Sequence, residues 1–313
     1  MEERYRLGID IGGTKVNIGI VREDGTVLDS RCISSREAGD ARALVEKVCR
    51  EAEECLAGHG LTLESIHHIG VGIPGTADYL NGVVKYSSNL FGRDVPLADY
   101  FEARWGRRVT VVQDSWAAAW AEYLFGQKRA FDSMLCLTIG TGIGCGVILG
   151  GRVYGGAMHT AGEIGHTPVV PGGRLCSCGR RGCLETYASG TAILDQAMER
   201  FPQKFEGRAR RSETVFDLAY AGDSDALTLI GDCVDKLAYG LAMMMNILSV
   251  SVVTISGGVC IHDQLLIQPL PEKIRAYGYP AWADEHTPRV LQARLGSLAP
   301  MVGAAFLTKD DIR

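Results

Sequence analysis

A chain of 313 residues with 46% hydrophobic and 22% charged residues has ordinary globular composition. It is long enough to bury roughly three quarters of its unfolded surface and to divide into two domains. A net charge of −5 with no basic tract argues against nucleic acid as a partner. The opening MEERYRLGID is charged and enters a strand at once, so no export signal is expected. Ten cysteines in such a chain read as thiols of a reducing cytoplasm, not as a disulfide framework. Seven of them, Cys32, Cys49, Cys55, Cys136, Cys145, Cys233 and Cys260, are scattered and read as small buried hydrophobes.

Residues 5–11 alternate and reach Asp10-Ile11-Gly12-Gly13-Thr14-Lys15; strands over 16–21 and 26–33 follow, the last after Asp24-Gly25. An Asp-Gly pair between apolar runs predicts a hairpin, so the chain opens as an antiparallel meander. Leu44, Val45, Val48, Ala52 and Cys55 have helical spacing over 41–56, and Gly58 and Gly60 end that helix. A strand over 66–73 runs into Pro74-Gly75, and the next twenty residues read as loop. Pro96 suits the first turn of a short helix through Trp105. The strand 109–112 ends at Gln113-Asp114, with Ser115 placed to cap an alanine-rich helix reaching Phe125.

The pattern then restarts. Residues 135–142, LCLTIGTG, repeat the strand and glycine turn of residues 7–14, LGIDIGGT, and a second strand over 145–149 leads to Gly150-Gly151. Internal duplication follows, with two similar α/β halves facing each other. Further on, helices are expected over 190–200, around 215–220 and over 232–248. A strand over 250–255 enters Ser256-Gly257-Gly258, a helix follows Asp263, and 289–295 and 300–307 give a last strand and a closing helix. The uncharged stretch 237–255 is long enough to span a membrane. Its second half is β-branched, however, which fits a buried helix followed by a buried strand.

Two glycine turns after strands, Gly12-Gly13-Thr14-Lys15 and Gly140-Thr141-Gly142, offer backbone N–H groups that can cradle polyphosphate oxygens where side chains would block approach. Neither has the spacing of a P-loop, and the second leads into a strand, unlike a dinucleotide fingerprint. Asp10, at the end of the first strand, is placed to reach Mg²⁺ through its water shell. Asp114, where a strand breaks into a helix, is either a helix cap or a functional carboxylate of the type that accepts a hydroxyl proton during phosphoryl transfer.

The most specific local signal is His166-x9-Cys176-x-Cys178-x4-Cys183, set among glycines and prolines in the loop 159–185 and bracketed by Glu163 and Glu185. Three thiolates and an imidazole form a closed tetrahedral set for structural Zn²⁺, which in small peptides is worth on the order of 10–16 kcal/mol. Four protein ligands leave no open position for catalysis. The staple is expected to aim the two carboxylates at a ligand.

Taken in order, LGIDIGGTK, Pro74-Gly75, Asp114 before an alanine-rich helix, IGTGIG, AGEIGH, CSCGRRGCLE and SGG resemble the ROK family of bacterial sugar kinases over essentially the whole chain. The resemblance implies an α/β, actin-like (ribonuclease H-like) duplicated two-domain ATPase fold with a central ATP and sugar cleft. Its domains are expected at 1–115, joined by the closing helix 300–313, and at 116–299, which carries the zinc loop. It implies ATP bound by Asp10, Gly12, Gly13, Thr14, Lys15, Thr141 and Gly142, with Gly257 and Gly258 near the adenosine. Asp114 becomes the base for a sugar 6-hydroxyl; Glu163, His166 and Glu185 hold sugar hydroxyls, and Asn89 matches a sugar-contacting asparagine. His166, Cys176, Cys178 and Cys183 hold zinc, so His166 serves metal and sugar alike. A cytoplasmic homodimer or homotetramer is implied.

One departure lies beside the base. Family glucokinases read Asn-Asp-Ala-Asn, whereas this chain has Gln113-Asp114-Ser115-Trp116. Gln113 lengthens the amide by one methylene and Trp116 replaces a small polar group. The following AAAWAEY is closer to the N-acetylmannosamine kinase branch, while AGEIGH is closer to glucokinases. The expected activity is an ATP- and Mg²⁺-dependent hexose kinase with glucose as substrate, the alternatives being N-acetylmannosamine, fructose, mannose or allose. A repressor of the same family carries a helix-turn-helix domain ahead of the first strand, and a strand beginning by residue 5 is expected to leave no room for one. A non-catalytic actin-like ATPase is disfavoured by Asp114 and AGEIGH.

Overall fold

The computed structural model describes residues 4–36, 39–87 and 92–313. They form two compact units, one of Met1–Asp132, Gly146–Ala161 and Leu298–Arg313, the other of Ser133–Cys145 and Gly162–Ser297.

The first unit begins with the expected meander, β1 (Tyr5–Ile11), β2 (Lys15–Arg22) and β3 (Val27–Ser34), followed by α1 (Ala41–Ala57) and β4 (Ile66–Ile73). Asp40 starts α1 by accepting the N–H of Ala43 at 2.8 Å, and the helix buries Leu44, Val45, Val48, Ala52 and Cys55, the face its sequence spacing defines. The stretch read as loop instead folds into a small antiparallel sheet of β5 (Thr76–Asp78), β6 (Val83–Ser87) and β7 (Gly92–Val95). Its strands are too short and polar to show an alternating pattern.

Next come α2 (Leu97–Trp105), β8 (Thr110–Gln113) and α3 (Asp114–Ala121), which continues as a π-helical turn over Glu122–Gly126. Ser115 does not cap α3. It lies in the first turn, and its own N–H is bonded by the Asp114 carboxylate at 2.6 Å. The main sheet has the order β3-β2-β1-β4-β8, with β4 and β8 parallel to β1.

The second half repeats this plan. Strands β9 (Met134–Ile139), β10 (Ile143–Leu149) and β11 (Arg152–Val153) form the meander. After the cysteine loop come α4 (Glu185–Ala188), α5 (Gly190–Arg200), α6 (Ser212–Tyr220), α7 (Ser224–Leu248) and β12 (Val252–Ser256). Then follow α8 (Asp263–Leu266), α9 (Leu270–Tyr277), α10 (Pro280–Ala283) and β13 (Arg289–Gln292). The sheet order β11-β10-β9-β12-β13 matches the first sheet strand for strand, as duplication requires.

Helix α7 starts eight residues before the expected position, because Asp223 caps it by accepting the N–H groups of Asp225 and Ala226. Among the described residues, no helix is long and apolar enough to cross a membrane. All ten cysteines are free thiols. Of the seven scattered ones, six are buried; Cys32 is exposed, a departure from the expected burial.

The closing helix α11 (Ala299–Phe306) returns to the first unit. It lies so close to the sheet that a Cβ at Gly8 or Gly70 would overlap the carbonyls of Met301 or Ala304. Gly303 likewise lets α11 touch the Ala117 carbonyl of α3. The alanine-rich helix therefore belongs with the first unit, on the far side of the boundary expected at 115/116.

Candidate active site

In the first unit the sheet register assembles one edge. Asp10, the last but one residue of β1, faces Asn17 on β2 and lies beside Gly72 of β4. On β4 the next residue, Ile73, pairs with Gln113 of β8, which places Asp114 at the same carboxyl edge, where open α/β sheets bind ligands. Gln113 is buried, 5% exposed.

The Gly12 N–H closes the first turn onto Lys15 O at 2.8 Å, leaving Gly13, Thr14 and Lys15 exposed. Asp10 accepts from Asn17 Nδ2 at 3.2 Å. Burial nevertheless pushes its carboxyl up to about 6, against the lowering effect of that bond. A carboxylate held in this way gains from a nearby cation, so the site suits Mg²⁺ reached through water. Sequence reading missed Asn17; its signal was the hairpin register, which sets it opposite Asp10 once the turn spans Gly12 to Lys15.

In the second unit the β9–β10 turn is held at three points. Gly140 N–H bonds Gly142 O at 3.0 Å, Gly190 N–H bonds Gly140 O at 2.8 Å, and Ile143 N–H bonds Glu185 Oε2 at 2.9 Å. Thr141 is left exposed. The neighbouring strand β12 pairs Ser256 with Thr138, so Gly257 and Gly258 emerge beside this turn. Gly257 has φ +107°, and a Cβ there would overlap the Ile139 carbonyl, so both the dihedral and the space require glycine. The four turn residues named from sequence thus share one edge.

The cysteine loop closes on itself by two small bridges, Pro168 with Cys183 and Leu175 with Arg181. Cys176 N–H bonds Arg180 O at 2.8 Å and Gly179 N–H bonds Cys176 O at 2.9 Å. His166 Nδ1 and the sulfurs of Cys176, Cys178 and Cys183 all lie within 4.8 Å of one another. With Zn–S about 2.3 Å and Zn–N about 2.0–2.1 Å, a tetrahedral site sets two sulfurs about 3.8 Å apart and a sulfur and nitrogen about 3.6 Å apart. The Cys178–Cys183 separation is 3.7 Å and Cys176–His166 is 3.6 Å. The donor set fits zinc in composition and spacing. Burial, with the thiols of Cys178 and Cys176 adding to it, pushes the Cys183 thiol up to about 12.

Glu185 lies two residues beyond Cys183, at the end of this loop, and opens α4. While Oε2 takes the Ile143 N–H, its Oε1 lies 3.9 Å from Cys176 Sγ. Glu163 is exposed at the start of the 3-10 turn that carries His166. Asn89 lies outside the described residues.

The chain matches the family model described as ROK family over residues 6–311. It is 33% identical to the glucokinase of Thermotoga maritima over 316 residues, covering 98% of each chain. It is 35% identical to the N-acetylmannosamine kinase of Yersinia pestis over 257 residues, covering 81% of this chain and 82% of that one. Among solved structures it is similar to a ROK family glucokinase from Streptomyces griseus in complex with glucose and AMPPNP. The identity there is 32%, the TM-score 0.83, and the coverage 98% of this chain and 99% of that one. Repeated sheets of identical strand order, two glycine turns and near-complete coverage agree: this chain has the actin-like two-domain α/β fold and belongs to the ROK family.

Proposed function

We propose that this protein is an ATP-dependent sugar kinase that phosphorylates the 6-hydroxyl of a hexose, glucose foremost. The observation that carries the reading is the construction of the second unit. One residue, Glu185, ends the cysteine loop and also holds the glycine turn of the β9–β10 hairpin, so sugar recognition and phosphate binding are built as one piece. Backbone N–H groups of Gly13 and Thr14, in the turn that Gly12 closes, and of Thr141 and Gly142 cradle ATP phosphates, with Lys15 beside them and Gly257 and Gly258 near the adenosine. Asp10 holds Mg²⁺, which when bound neutralises charge on the β- and γ-phosphates.

Asp114 accepts the proton of the 6-hydroxyl as that oxygen attacks the γ-phosphorus and the bond to ADP breaks. Glu163, His166 and Glu185, with Asn89 and Gln113, orient the sugar hydroxyls. His166 turns Nδ1 toward the thiols, which leaves Nε2 for a hydroxyl. Zinc held by His166, Cys176, Cys178 and Cys183 fixes the loop and takes no part in transfer. The protein acts in the cytoplasm as a homodimer or homotetramer, with small molecules and not nucleic acid or membrane as partners.

A second reading, N-acetylmannosamine as the sugar, is favoured by Gln113 and Trp116 beside the base and by the likeness to the Yersinia kinase. A coupled ADP-release assay over glucose, mannose, fructose, allose and N-acetylmannosamine separates them. Glucose should give the highest kcat/KM. A higher value for N-acetylmannosamine would transfer the assignment to that sugar, and no turnover with any of them would remove the kinase reading.

A further inference from the structure

Trp116 lies two residues beyond Asp114 on α3, is fully buried, and packs edge-on against Tyr79 with ring centroids 6.1 Å apart. Its indole N–H donates to the carbonyl of Ala161 at 2.9 Å. The segment it reaches is also held within itself, by Ala161 N–H on Gly155 O and His159 N–H on Gly156 O, each at 3.1 Å. His159 Nδ1 lies 4.0 Å from Asp78 Oδ1, and the C-terminal residues hold the segment's other end. There Val153 pairs with Ile312, Arg313 N–H bonds Val153 O at 2.9 Å and Gly155 N–H bonds Arg313 O at 2.8 Å. Gly155 must lack a side chain, since a Cβ would sit 2.9 Å from the Trp116 ring and 3.0 Å from Ile312. His159, in the left-handed region at φ +55°, packs at a tilt against Tyr79 with ring centroids 4.9 Å apart. Beyond Ala161 the chain needs one residue, Gly162 at φ +97°, to reach Glu163.

We infer that Trp116 is a positioning residue for sugar binding: its hydrogen bond to Ala161 ties the helix that presents Asp114 to the segment that delivers Glu163. The inference rests on the sugar-kinase reading above. Three features point to it. The bond is made by one of the side chains beside the base that depart from the glucokinase pattern. The donor is a fully buried indole, whose N–H would be left without a partner if the segment moved away. The partner segment is shaped around the indole, by Gly155 below it and Tyr79 beside it. Bulk alone would explain burial, but not a directed N–H to the residue two before Glu163.

The test compares Trp116→Phe, which keeps an aromatic ring and removes the donor, with Trp116→Leu, which also empties part of the pocket. Trp116→Phe should melt within a few degrees of the wild type and raise the hexose KM about tenfold while the ATP KM stays unchanged. Amide hydrogen exchange over residues 156–163 should become faster. Trp116→Leu should lose stability as well. An unchanged hexose KM in Trp116→Phe, or equal rises for hexose and ATP, overturns the inference. Should the wild type phosphorylate no sugar in the panel, the kinase reading fails. The exchange measurement then decides the tether alone, and unaltered exchange over 156–163 in Trp116→Phe overturns it.

Discussion

Glu185 accepts the backbone N–H of Ile143 at 2.9 Å, so the carboxylate that closes the cysteine loop also shapes the glycine turn one strand away. Space at this point is already used: a Cβ at Gly142 would collide with Glu185 Oε2. Glu185→Ala would leave the Ile143 N–H without its acceptor, a loss of about 1–3 kcal/mol. Both the hexose KM and the ATP KM should rise, each by roughly tenfold or more. Gly142→Ala should push the carboxylate aside and mimic this double effect more weakly. A rise in the hexose KM alone would show that Glu185 serves only the sugar.

Asp114 stands at the carboxyl edge of β8 and opens α3, with its carboxylate on the Ser115 N–H at 2.6 Å. Replacing it with Ala removes the proton acceptor together with the carboxylate's bond to the Ser115 N–H. Turnover should fall by about 10²–10⁴, while calorimetric titration with ATP should give near wild-type affinity. Turnover within tenfold of the wild type would reduce Asp114 to a structural group.

How much of this was legible in the sequence depends on distance along the chain. The meander, the duplicated strand–turn–strand unit and the donor set of His166, Cys176, Cys178 and Cys183 are local patterns, and the sheet order and the sulfur spacings follow them. The partners of α3 were not legible. Gly303 and Ala117 meet through tertiary packing, and nothing near 115 signals that a helix from the C-terminus will hold α3 in the first unit. The β5–β7 sheet escaped because strands of three to five residues carry too few alternations. Helix α7 was cut short because the charged stretch before it runs up to Asp225 and Gly231 interrupts its apolar face, although Asp223 caps it and Ala226, Leu229 and Ile230 are buried. The bond from Trp116 to Ala161 needed coordinates, since side-chain direction across a fold has no sequence period.

The cysteine loop predicts a metal that can be counted. Protein purified from zinc-supplied cells should carry about one equivalent per chain. Cys178 is exposed, in contrast to the buried Cys176 and Cys183, so Cys178→Ser disturbs little packing and tests the ligand itself. It should lower the melting temperature, reduce zinc content and weaken glucose binding together. Stability and glucose affinity equal to the wild type in a zinc-free sample would remove the metal from the architecture.

Asp10 predicts a conflict between stability and activity that pH exposes. Its carboxyl ordinarily titrates near 3.8 and is pushed up to about 6 by burial in the folded chain. Between those values the folded state binds more protons than the unfolded state, so stability falls as pH rises through this window. The full penalty, about 3 kcal/mol at most, is present above about pH 6 and absent below 3.8. Asp10→Asn removes the charge and can keep the hydrogen bond from Asn17. In metal-free and nucleotide-free buffer it should therefore melt several degrees above the wild type at pH 8, with a smaller gap at pH 5. The same substitution should abolish Mg²⁺-dependent turnover, because a neutral amide cannot hold the hydrated cation. Mg²⁺ with ATP should raise the melting temperature of the wild type more than that of Asp10→Asn. A gap of equal size at both pH values would mean that the carboxylate is ionised in the fold without cost, and that burial at the end of β1 is not what tunes it.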